Sequence, residues 1–378
     1  MSKLVLKYVN DENLRIAREN IGYSIDDVAK KISPKNLEKE KNKIKNFEEG
    51  KAIPTFSQLK KLAQEYNISY FLLLSKNKIK KRSEKESPKD FRKIEDKDNP
   101  VLKKMIAEML IKQKNIERIL RDDNVKLGFI SEKSKKIDVP LDMARLIINK
   151  LDLNMEEFRK QRDYDSALKY LVDKIEKKNI FVFKTYSHQV QQNRNGRLSG
   201  ISVEDMRGLS LYNEHAPFII LHRQDGPTAK IFTLLHELTH IFRKNSVISN
   251  IKESVLDFRD GKYDKEEYFC NKVASEILLS DISFEYFDST DTIRSYAKEL
   301  KVSGKTLFIK LKQLNKINGD VETIEEEINF KIEYLNKNKK SGGNYNNSTK
   351  DSNSSLYSNI IHNAYLTEKI GPVETYNL

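Results

Sequence analysis

Two histidines four positions apart, with a glutamate directly after the first, stand in the segment FTLLHELTHIF at residues 232–242. On an α-helix, positions i and i+4 share a face, so His236 and His240 can direct their rings at one atom, with Glu237 beside that face. H-E-x-x-H is the pattern in which two imidazoles hold Zn2+ and the glutamate takes a proton from an activated water. The competing reading is a buried helix whose two histidines are satisfied by hydrogen bonds. With 6 histidines in 378 residues, a chance match is on the order of one in a hundred.

A catalytic zinc takes three protein ligands and leaves one position open. No histidine follows soon after His240, so the third ligand is expected to be a carboxylate. In EEYFCNKVASEILLS (266–280), Phe269, Cys270, Val273, Ala274, Ile277 and Leu278 make an apolar helix face. One turn earlier that face runs through Glu266 and Glu267. An acid that extends a buried stripe is costly unless it is paired or metal-bound. Periodicity does not separate these two, and Glu253 and Asp257 also remain open. His222, at the close of FIILH, is a candidate donor to an oxyanion or a support for the site, set against a satisfied structural histidine. His188, His215 and His362 fall in polar stretches and carry only a structural expectation.

The elements that position these residues follow from pattern. Asp225-Gly226-Pro227 supplies a turn and a proline suited to the first helical position. Phe232, Leu234, Leu235, Leu238, Ile241 and Phe242 leave the helix little polar surface, which predicts burial. IFVFKTY (180–186), RGLSLY (207–212) and FIILH (218–222) read as strands, and FIILH is expected to offer an edge to which an extended substrate adds. Residues 101–178 read as helices. Helices, then a small sheet, then the histidine helix make an α+β order rather than a βαβ repeat.

Towards the N-terminus, residues 11–75 form a separate helical unit. NLRIAREN reads as a first helix, and YSIDDVAKKI follows the Gly22 turn with Ser24 as N-cap. TFSQLKKLAQEYNISYFLLL places Phe56, Leu59, Leu62, Ala63 and Tyr66 at helical spacing. A four- or five-helix bundle with a tight turn between its second and third helices is the build of helix-turn-helix DNA readers. Residues 30–45 hold seven lysines against two glutamates, a net of +5. Lys35, Asn36, Lys39 and Lys43 are the candidate DNA contacts, chiefly to phosphate, against the plainer reading of a solvated lysine face. From 76 to 93 nine Lys and Arg face three acids, and this polar run reads as a linker.

The whole chain carries a net charge of +13 with 33% charged residues, which favours an acidic partner such as nucleic acid. The single cysteine, Cys270, excludes a disulfide framework and an all-cysteine zinc site, and fits a reducing cytoplasm. Cys270 as a zinc thiolate or redox switch is a minor reading beside a core position. No apolar run is long enough to cross a membrane and no signal peptide is evident, so a soluble cytoplasmic protein without membrane contact is expected.

The segments SIDDVAKKI, NFEEGKAIPTFSQLKKLA and YFLL resemble the XRE, or lambda-repressor-like, helix-turn-helix domain over about 65 residues. The stretch between Ile32 and Phe47 is several residues longer than that family's usual spacing, so the recognition helix is either extended or preceded by a longer turn. MRGLSLYNEHAPFIILHRQDGPTAKIFTLLHELTHIF followed by EEYFCNKVASEILLS resembles the ImmA/IrrE-type metallopeptidases. There the glutamate opening E-x-x-A-N-x-F-A-x-x-L-L is the third zinc ligand, which the resemblance carries onto Glu267. Cys270 stands in place of the usual alanine, Val273 in place of phenylalanine, and Thr239 in place of the glycine of HELGH. IRSYAKELKVSGKTLFIKLKQLNKI (293–317) resembles the small helix-turn-helix-like segment that follows the peptidase core in that family, and is expected to pack on the catalytic domain rather than to bind DNA on its own. The tail GGNYNNSTKDSNSSLYSNIIHNAYL resembles the strand-and-helix close of longer relatives.

These readings give a mostly helical α+β chain. An N-terminal helix-turn-helix bundle is joined to a zincin-like metallopeptidase domain with a small antiparallel sheet. The expected partition is a helix-turn-helix domain at 11–75, a basic linker at 76–100, the peptidase at 101–285, the small helical segment at 286–320 and a helical, partly flexible region at 321–378. The resemblance implies a zinc endopeptidase that cleaves an XRE-type repressor, with DNA bound through residues 11–75 and a place in transcription regulation or stress response. The alternative is a DNA-binding regulator, or a toxin-antitoxin or phage-defence component, that uses the peptidase fold as sensor or scaffold without turnover.

Overall fold

The computed structural model of the chain describes residues 8–66, 68–79, 81, 99–122, 130, 132–186, 200–249, 265–318, 320–328 and 352–371. They fall into two compact units, Met1–Lys112 with Gln191–Ile201, and Gln113–Val190 with Ser202–Leu378.

The first unit is helical: α1 (Asp11–Asn20), α2 (Ile25–Ile32), α3 (Leu37–Glu48), α4 (Phe56–Glu65) and α5 (Tyr70–Leu74), with the first half of α6 (Pro100–Asp122). Local chemistry sets the helix starts. The Ser24 hydroxyl accepts from the Asp27 backbone at 3.1 Å while the Asp27 carboxylate accepts from the Ser24 backbone at 2.8 Å, a reciprocal cap on α2. Thr55 and Gln58 cap α4 in the same way. Gly22 and Gly50 close turns at φ of 71° and 67°, where a Cβ would be strained. Leu14, Ile21, Val28, Ile44, Phe47, Leu59, Leu62 and Tyr66 form the core. Arg18 grips Glu48 through two bonds of 2.7 and 2.8 Å and donates to the Tyr23 carbonyl, which ties α1 to α3. The extra length before Phe47 is taken up both ways: a single 3-10 turn, Pro34–Asn36, precedes an α3 of 12 residues.

The second unit holds α7 (Pro140–Leu151), α8 (Met155–Arg159), α9 (Tyr164–Glu176), β1 (Phe181–Lys184), β2 (Gly208–Leu211), β3 (Phe218–Leu221), α10 (Pro227–Phe242), β4 (Val247–Ser249), α11 (Lys265–Leu279), α12 (Thr290–Glu299) and α13 (Gly304–Gln313). A further helix, α14, covers 321–328, and α15 (Ser355–Leu366) follows. The four strands lie in the order β1-β3-β2-β4. The expected antiparallel pairing holds for β2 with β3 and for β2 with β4, but β1 runs parallel to β3, so the sheet is mixed. The short connection after β2 forces a hairpin, whereas β1 arrives from α9 and is far enough along the chain from β3 to lie parallel to it.

Two further points correct the sequence reading. β3 is not an edge, because β1 and β2 flank it; the edge strands are β1 and β4. The strand Val247–Ser249, which sequence pattern did not flag, supplies the second edge.

α10 is the central helix, and every residue from Ile231 to Phe242 is buried. β2 and β3 cover one side, and α7, α9 and α11 the others. α13 is buried from Thr306 to Leu311, and Lys310 bonds Glu276 of α11 at 2.6 Å, so this segment packs as part of the unit rather than presenting a reading face. α15 is anchored by Glu176, whose carboxylate accepts from the Ser354 hydroxyl at 2.5 Å and the Leu356 backbone at 3.2 Å. Tyr357 meets the rings of Phe181, Phe183 and Phe218 edge-on.

Candidate metal centre and helix-turn-helix face

Four-residue spacing on α10 places His236 Nε2 3.0 Å from His240 Nε2, both rings fully buried. α11 crosses this face and brings Glu267 to it, one carboxylate oxygen 3.2 Å from His236 Nε2 and the other 3.3 Å from His240 Nε2. The potential ligand atoms of His236, His240 and Glu267 all lie within 4.8 Å of one another. The Glu267 side chain is 27% exposed, so the cluster has one side open to solvent.

The protonation pattern of the cluster calls for a cation. His236 Nδ1 lies 2.8 Å from the Asn271 side-chain oxygen, an acceptor, which places the ring proton on Nδ1 and leaves Nε2 as a lone pair. Nε2 of each imidazole and a carboxylate converging in a buried site call for a proton or metal ion between them. Two imidazoles and one carboxylate are a donor set that suits Zn2+.

The structure separates the two glutamates that periodicity could not. Glu266 turns away from the histidines to a two-point pairing with Arg243 at 2.7 and 2.8 Å, and accepts from Asn245 at 2.9 Å. Arg243 follows His240 by three positions, so this clamp ties the end of α10 to the start of α11 beside Glu267. Glu253 and Asp257 lie outside the described residues.

Cys270 is fully buried with its sulfur 3.6 Å from His240 Nδ1. Burial and the nearby Glu266, Glu267 and Glu237 push its thiol well above the ordinary range, which disfavours a thiolate ligand. His240, Glu266 and Cys270 also approach within 4.8 Å, but Glu266 is already held by Arg243. Glu237 is fully buried and faces β2. His222 is buried just beyond β3, its backbone donating to Arg207 at 2.9 Å, at the same end of the sheet as Gly208. His215 is buried in the connection between β2 and β3, His362 is exposed on α15, and His188 lies outside the described residues.

In the first unit, Lys35 and Asn36 are exposed on the 3-10 turn and Lys39 is exposed on α3. Lys43 is drawn to Glu40 at 3.3 Å, and Lys41 to Asp26 at 2.8 Å and Glu38 at 3.1 Å. The local charge excess is therefore partly neutralised within the fold.

Residues 197–312 match the family model described as the IrrE N-terminal-like domain, and residues 12–79 match that of a helix-turn-helix domain. The chain carries both domains. No curated protein and no solved structure matches it. The IrrE-type peptidase match takes in α10 and α11 with His236, Glu237, His240 and Glu267; the helix-turn-helix match takes in α1 to α5. The architecture is thus metallopeptidase-like and of DNA-binding type. Among the described residues, no helix is long and apolar enough to cross a membrane.

Sequence reasoning missed two supporting groups. Asn271 and the Arg243–Glu266 clamp gave no signal, because their partners lie on another helix. Asn42, Lys45 and Asn46 are exposed on α3 near Lys39.

Proposed function

We propose that the chain is a zinc-dependent endopeptidase whose substrate is an XRE-type repressor or a protein with a similar domain. The observation that carries this reading is the convergence of His236, His240 and Glu267 within 4.8 Å on two packed helices. These three residues would hold the metal, and a bound Zn2+ would supply Lewis-acid polarisation of water and of the scissile carbonyl. Asn271 fixes the His236 ring so that Nε2 faces the cluster. Glu237, buried between the cluster's helix and the sheet, acts as general base, accepting a proton at its carboxylate and returning it to the leaving nitrogen. His222 is proposed as a donor near the substrate carbonyl. The open side at Glu267 gives a peptide its approach.

The helix-turn-helix domain brings the peptidase to DNA or to a repressor bound there. Lys35, Asn36, Lys39 and Lys43 would meet phosphates, and Asn42, Lys45 and Asn46 extend that face along α3. Binding through phosphates weakens steeply with salt, whereas docking through an apolar helix-turn-helix interface does not, and this distinguishes the two roles.

The test is elemental analysis of protein purified without added metal, with Glu237→Gln and Glu267→Ala compared. Roughly one zinc per chain, lost in Glu267→Ala and kept in Glu237→Gln, is the expected result. Repressor cleavage should fall by about a hundredfold or more in Glu237→Gln. Wild-type protein that takes up no added Zn2+ sinks the reading and leaves a DNA-binding regulator on a peptidase fold.

A further inference from the structure

Gly208 opens β2, opposite Leu221 of β3 and Ser249 of β4, an interior position where a glycine weakens a sheet unless something approaches it closely. What approaches is the catalytic helix. A Cβ built on Gly208 would lie 2.3 Å from a Glu237 carboxylate oxygen, 2.8 Å from Glu237 Cγ and 2.6 Å from Thr233 Cγ2. Thr233 and Glu237 are four apart and share the face of α10 that meets the sheet, whereas His236 and His240 share the next face, toward α11. The missing side chain of Gly208 thus makes the slot in which the Glu237 carboxylate is seated.

We propose that Gly208 is a positioning residue for Glu237, an inference that rests on the peptidase reading for its catalytic meaning. Any side chain at 208 drives the carboxylate oxygen from 2.3 Å to ordinary contact at 3.4 Å or more, a displacement of about 1 Å. A misplacement of about 1 Å at a reacting group costs on the order of a hundredfold in rate. The nearest atom, the Glu237 carboxylate oxygen, is the end of a flexible side chain and can move, whereas Glu237 Cγ and the β-branched Thr233 are held close to the helix, so Gly208→Ala also lowers stability and is read beside the melting measurement. None of the three atoms nearest the added Cβ belongs to His236, His240 or Glu267, so the direct clash falls on Glu237 and Thr233.

The experiment is a double-mutant cycle on the full chain, read first as melting temperature without metal. Gly208→Ala lowers the melting temperature, and the same change in a Glu237→Ala background lowers it by less than half as much, since the main clash is gone. Zinc content of Gly208→Ala equals that of wild type, while hydrolysis of fluorescein-labelled casein and of a random fluorogenic peptide library falls by about a hundredfold. Full hydrolysis by Gly208→Ala, or the same melting shift in both backgrounds, overturns the positioning role. If the shifts couple but the zinc-loaded wild type cleaves neither these probes nor a repressor substrate, the seat stands as geometry and its catalytic role is overturned.

Discussion

Replacing Asn271 with leucine removes the acceptor for His236 Nδ1 while keeping the branched shape of the side chain at a fully buried position. The bond is 2.8 Å long and joins two helices, so it fixes both the rotation of the ring and the nitrogen that carries its proton. Without it the Nδ1 proton can pass to Nε2, and each ring that does so is blocked as a ligand. Partners of this kind are worth about tenfold to a hundredfold in metal affinity, which is about 1.4 to 2.7 kcal/mol. Zinc affinity, measured by competition with a chromogenic chelator, should weaken by that factor in Asn271→Leu. Asn271→Asp keeps the acceptor and adds charge, so it should bind zinc at least as tightly as wild type. A leucine variant within about twofold of wild type, or an aspartate variant weakened as much as leucine, refutes the argument that Asn271 orients His236.

Other perturbations follow from the same structure. Arg18 and Glu48, with side chains only 11% and 6% exposed, form a pair whose disruption leaves a buried charge. Arg18→Ala should therefore cost on the order of 3 kcal/mol, read as faster hydrogen exchange in α1 and α3, and a loss under about 1 kcal/mol would place it with surface pairs. Burial raises the Glu176 carboxyl above its ordinary range, partly offset by bonds from Ser354, Leu356 and Val182. A raised acid binds its proton more tightly in the folded state, so the contribution is full below the unfolded value and is lost as pH rises through the folded one. Wild-type stability relative to Glu176→Gln should accordingly increase as pH falls from about 8 to about 4, and a flat difference contradicts the assignment. Stripping zinc should lower the melting temperature, since a ligand at a thousand times its Kd contributes about 4 kcal/mol, and an unchanged melt on chelation speaks against a bound metal in the native chain.

Much of this protein is local in origin and so is legible in its sequence. Capping at Ser24 and Thr55, the glycine turns at 22 and 50 and the apolar stripes of α1 to α4 are decided by residues within a few positions of each other. The pairing of His236 with His240 is likewise fixed by the pitch of a single helix. What lay between elements was not legible. Whether Glu266 or Glu267 faces the histidines was left open by periodicity and came from the sequence only through the metallopeptidase resemblance; in the structure it depends on how α11 rotates as it crosses α10, and the Arg243 clamp on Glu266 accompanies that rotation. The place of β3 between β1 and β2, and the parallel run of β1, depend on strands far apart in the chain. Asn271 behind His236 and the empty Cβ position at Gly208 beneath Glu237 exist only once helices and sheet are packed. Periodicity records which face of an element is buried, not which neighbour buries it, so tertiary packing alone decided how the histidine helix is armed.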